Sequence, residues 1–148
     1  MVGEAEELYN KGCVAFNNGK TLDALGLFEK AFNMEPENPK YQSYLGLCIA
    51  FERGKIKEAV SLCERALQAE PQKVECFLNL GRVYLRSGLK LRAVEVFRKG
   101  LSIDNKNPEI VAELQAMGLR NKSIISSLPR DHSLNKYLGK IVAKLGLR

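Results

Sequence analysis

Histidine, the side chain that most often moves protons in catalysis, occurs once in these 148 residues, as His132. It stands three residues past Pro129 in a broken polar stretch and reads as a solvated residue rather than a general base. Four cysteines, Cys13, Cys48, Cys63 and Cys76, form no Cys-x-x-Cys pair and have no histidine nearby. They fall within predicted helices and read as reduced, small core residues of a cytosolic protein, with a disulfide or a zinc site as the alternative. Gly19, Gly54 and Gly88 are spaced as turns, not as a phosphate-binding loop. No catalytic residue, metal ligand or cofactor is assigned, and the chain is expected not to be an enzyme.

The chemistry that remains is binding. Net charge is +6, yet residues 1–118 carry 16 Lys plus Arg against 16 Asp plus Glu; residues 119–148 carry seven basic residues against Asp131 alone. The basic excess is therefore confined to the last thirty residues. There Leu134, Tyr137, Leu138, Ile141, Val142 and Leu145 predict one apolar stripe on a helix over 133–148, and Lys136, Lys140, Lys144 and Arg148 recur every fourth residue opposite it. Three roles compete: a cap on the end of the fold, a helix lying on an anionic membrane surface, and a nucleic-acid contact. Capping ranks first. Nucleic acid ranks last, because Tyr137, the one aromatic ring available for base stacking, sits on the apolar side.

The elements that would position a binding surface come from periodicity. Gly12, Gly46 and Gly81 recur at steps of 34 and 35, Ala24, Ala59 and Ala93 at 35 and 34, and Phe28, Cys63 and Phe97 keep the second register. Within Glu75–Leu101, Phe77, Leu80, Gly81 and Tyr84, then Ala93, Phe97 and Leu101, mark two amphipathic helices joined at Ser87-Gly88. A repeat of about 34 residues built from helix pairs signals a helical solenoid. Leu80-Gly81, Tyr84, Ala93 and Phe97, with Leu45-Gly46, Ala59, Pro71, Gly12, Ala24, Phe28 and Pro36, give the chain a sequence that resembles the tetratricopeptide repeat family.

That resemblance implies an all-α, right-handed α-α superhelix of three helix pairs, with repeats at about 4–38, 39–73 and 74–107. A half-repeat capping helix over 108–118, a linker over 119–132 and the basic helix over 133–148 would follow. It also implies that the first helix of each repeat lines a concave groove for a peptide or partner helix. Carried onto this sequence, the lining is Glu6, Tyr9, Asn10, Cys13 and Asn17; Ser43, Tyr44, Leu47 and Phe51; and Leu78, Asn79, Arg82 and Arg86. Family members that grip the terminal carboxylate of a chaperone use lysines, asparagines and an arginine. The matching positions here hold Tyr9, Cys13, Tyr44, Glu75 and Asn79, so that clamp is absent. Arg82 and Arg86, one turn apart, could still meet an acidic partner.

Local expectations follow. Thr21 is expected as an N-cap and Pro39 in the first turn of its helix. Gly46 and Gly54 are separated by eight residues where the equivalent glycines of the other repeats are seven apart, which predicts a bulge or a lengthened turn near Glu52. Gln42 occupies a position usually aromatic in the family, with Tyr41 or Tyr44 to fill the gap. Leu45–Phe51, the longest apolar run, is far short of the roughly 20 residues a membrane span needs, and the acidic start MVGEAEELYN is unlike a secretory signal. The expected role is a cytoplasmic adaptor or scaffold binding a protein segment. The alternative is an assembly factor held to a membrane surface by its basic helix.

Overall fold

The computed structural model describes residues 2–118, and the readings of His132, the linker and the basic helix lie outside them. Seven helices occupy the described residues: α1 Glu4–Asn17, α2 Thr21–Met34, α3 Pro39–Arg53, α4 Ile56–Ala69, α5 Val74–Arg86, α6 Lys90–Ile103 and α7 Pro108–Ala116. The pairs α1/α2, α3/α4 and α5/α6 form hairpins, each stacked on the next, and α7 packs on α6. Among the described residues there is no strand.

Two helices start as their sequences dictate. Asn38 and Asn107 each accept a backbone N–H through Oδ1, from Lys40 and Ile110 at 3.0 Å, and a proline follows where its missing N–H costs nothing. Thr21 departs from expectation. It is the first residue of α2, Lys20 holds the cap position without a side-chain bond, and the Thr21 hydroxyl donates to Glu52 of α3 instead.

The stops explain the extra residue of the second repeat. After α1, Lys20 N bonds Ala15 O at 2.8 Å and Gly19 N bonds Phe16 O at 3.0 Å, closing the helix around Gly19 at φ +78°. Leu89 and Gly88 repeat this on Tyr84 and Leu85 at the end of α5. In α3 the additional residue extends the helix to 15 residues, with Gly54 itself the left-handed cap, and only residues 54–55 connect to α4. There is no bulge at Glu52, and the turn is shorter rather than longer. Links from Thr21 to Glu52 and from Glu29 to Arg53, the latter at 2.8 Å, tie this last turn of α3 to α2.

Hairpin closure depends on missing side chains. A Cβ on Gly81 would overlap the Phe97 ring, and one on Gly12 would lie 2.6 Å from Phe28 Cε1. In the middle hairpin Cys63 stands in place of that phenylalanine, and the helices close further. A Cβ on Gly46 would meet the Ala59 carbonyl oxygen at 2.8 Å. The core runs through all hairpins, with Phe28, Cys63, Phe97 and Ile110 fully buried. Ile110 and Leu114 bury the inner face of α7.

Candidate functional site

Along the helices that open each hairpin, α1, α3 and α5, side chains of neighbouring repeats meet in two groups. The first is aromatic. Tyr9 packs against Phe28, Tyr41 and Tyr44 with ring centroids 5.9, 5.5 and 5.3 Å apart, and Lys40 Nζ sits 4.7 Å from the Tyr9 centroid while pairing with Glu6 at 3.6 Å. Tyr41 and Tyr44 both join this cluster. Gln42 donates to Pro36 O at 2.8 Å, and its Oε1 has no partner among the described residues. The Tyr44 hydroxyl donates to Glu75 at 3.2 Å. Burial first, then the Glu75 charge, push the Tyr44 hydroxyl above its ordinary range, and burial does the same at Tyr9.

The second group lines a hollow of about 510 Å³ shared by five helices. Phe16 and Phe51 meet edge to face at 5.6 Å, and Leu85 completes the apolar wall. The Arg86 guanidinium lies 4.8 Å from the Phe51 centroid. Arg82 donates to Glu113 at 2.9 Å and approaches Glu109 at 3.4 Å, binding α5 to α7 along one side. One wall thus carries rings and the other carries charge.

The predicted lining divides under this geometry. Phe51, Arg82 and Arg86 are brought together at the hollow, and Tyr44 is half-buried beside Tyr9. Asn10, Asn17 and Glu6 are exposed, and Cys13 is half-buried. Ser43, Leu47, Leu78 and Asn79 are sealed between helices at 0–2 % exposure, so they offer a partner no surface. Asn79 Nδ2 donates to Ser43 Oγ at 2.8 Å, which pins α5 to α3. Phe16, Leu85, Thr21 and Glu113 were missed. A signal existed for two of them: Phe16 and Leu85 lie seven residues past Tyr9 and Leu78, as Phe51 does past Tyr44.

Cys48, Cys63 and Cys76 are buried and free. Burial pushes the Cys48 thiol up to about 12 and that of Cys76 to about 11. Both stay neutral at ordinary pH.

Two family descriptions, each reading Tetratricopeptide repeat, match residues 9–74 and 50–117. The chain belongs to the tetratricopeptide repeat family. Solved tetratricopeptide repeat structures superpose on it. The Sgt2 domain from Aspergillus fumigatus does so at TM-score 0.63 and 20% identity, over 88% of this chain and 84% of that one. The first such domain of Spaghetti (RPAP3), bound to the HSP90 peptide SRMEEVD, gives 0.61 and 22% over 78% and 93%. The second domain of human RPAP3, in complex with the HSP70 peptide SGPTIEEVD, gives 0.59 and 19% over 78% and 96%. At these identities the likeness is one of fold. No curated protein matches the sequence. No described helix is long and apolar enough to cross a membrane.

Proposed function

We propose that this tetratricopeptide repeat chain is a non-enzymatic adaptor that binds a protein segment in the hollow between α1, α3, α5 and α7. The observation that carries the reading is the shared wall of Phe16, Phe51 and Leu85 beside Arg86, a surface assembled from every hairpin and α7. An apolar anchor placed on those rings would exclude water from them, while Arg86 and Glu113 orient the flanking backbone or side chains. Solved relatives in complex with peptides support a peptide or protein as the class of ligand.

The residues at the clamp positions argue against a chaperone carboxylate as that ligand. Tyr9, Cys13, Tyr44, Glu75 and Asn79 bring no cation to the place where a terminal carboxylate would need one, and Glu75 would repel it. Arg82 is already occupied by Glu113 and Glu109. Affinity capture from cytoplasmic extract, run in parallel with the full chain and with Phe51→Ala/Arg86→Glu, tests the reading. Proteins retained by the first and lost by the second, at matched melting temperature, would support it. Equal retention by both would remove the hollow from consideration.

A further inference from the structure

We infer that the Glu75 end of this surface recognises a basic side chain, lysine or arginine, on the partner segment; the inference rests on the groove reading above. Glu75, Asn79, Arg82 and Arg86 fall at offsets 0, 4, 7 and 11 on α5 and so share one face. The cations near that face are already engaged, Arg86 over the Phe51 ring. Arg82 holds Glu113 and Glu109, and Lys40 holds Glu6 and the Tyr9 ring. Glu75, by contrast, is half-buried, accepts only the Tyr44 hydroxyl, and enters no ion pair among the described residues. A carboxylate partly removed from water without a counter-charge gains more from an arriving cation than an exposed one does.

Asn79, one turn along from Glu75, is fully buried and gives Nδ2 to Ser43, and its Oδ1 has no hydrogen-bond partner among the described residues. The group left spare on this face is therefore an acceptor, the Glu75 carboxylate, since Asn79 is sealed between α3 and α5 and reaches no partner. Lysine brings three donors and arginine five, with no acceptor of its own to clash. Lys40 over the Tyr9 ring shows a cation already accommodated in this aromatic cluster. Charge balance agrees: Glu6, Glu75, Glu109 and Glu113 stand with Lys40, Arg82 and Arg86, four carboxylates against three cations.

The test uses the full chain and three pools of random dodecamer peptides, with one central position fixed as lysine, norleucine or glutamate. The lysine pool should be retained about tenfold better than the norleucine pool, the effect of one charge-assisted hydrogen bond. Glu75→Gln, with unchanged circular dichroism, should erase that preference. Equal retention of the lysine and norleucine pools, or a preference that survives Glu75→Gln, overturns this inference and leaves the groove standing. Retention of no pool overturns the groove reading and this inference with it. A tenfold rise in lysine-pool retention after changing Lys136, Lys140 and Lys144 to glutamate would assign the patch to the chain's own basic segment, which also overturns a partner's lysine as the occupant.

Discussion

Arg82 Nε donates to Glu113 Oε1 at 2.9 Å, with the arginine side chain 19% exposed and the glutamate 26%. This half-buried pair joins the third hairpin to α7 and closes one side of the hollow. Arg82→Ala should therefore cost about 1 kcal/mol. The loss should fall mainly on α7. Hydrogen exchange would read it as faster exchange of the Ile110 and Leu114 amides, with little change in α1 or α2.

Close approach of helices sets a contrast between two glycines. Gly81→Ala drives a methyl group into the Phe97 ring and should destabilise by about 1–3 kcal/mol. Gly26 lies exposed inside α2, and beyond its own helix backbone no atom of the described residues comes within 4 Å of the added carbon. Gly26→Ala should stabilise by about 0.5–1 kcal/mol, because alanine has less backbone freedom to lose. Urea unfolding of both variants checks the sign and the size.

Alkali should loosen the stack. The Cys48 and Cys76 thiols rise from an ordinary 9.0 to about 12 and about 11, and Cys63 is also raised, in each case chiefly by burial. Protons are thus held more tightly in the folded state. The associated stability is complete below pH 9 and is lost as pH climbs from there through about 11 and 12. Replacing the three cysteines with alanine should flatten the fall in melting temperature between pH 8.5 and 11, whatever it does to stability at neutral pH.

The helix hairpins were legible because their determinants are local. Small residues at fixed steps mark close crossings, and Gly19 and Gly88 mark stops that later appear as left-handed caps. The extra residue in α3 was visible, but its destination was not. A lengthened turn and a longer helix fit the same spacing, and what distinguishes them is the link from Thr21 to Glu52 and from Glu29 to Arg53 across hairpins. The same nonlocality limits the site. Ser43 and Asn79 look like surface polar residues in sequence, yet they pair with each other and vanish between α3 and α5. Arg82 looks available until α7 supplies two carboxylates.

Polar burial at that point yields a further expectation. Ser43→Ala removes the acceptor of the Asn79 Nδ2 bond and leaves a second amide atom unpaired, at a cost of about 1–3 kcal/mol. Pairing it with Asn79→Leu, which removes the orphaned amide, should recover much of the loss. A thermal-unfolding double-mutant cycle gives the coupling directly.

The central claim is that a partner segment seats on Phe16, Phe51, Leu85 and Arg86. Chemical-shift mapping on the full chain, titrated with a segment of a captured partner, tests it most directly. Perturbations concentrated at those four residues and at Glu113 are the result this account predicts. Perturbations centred instead on the outer helices, at Leu67, Val96 and Lys99, with the four unmoved, would contradict it.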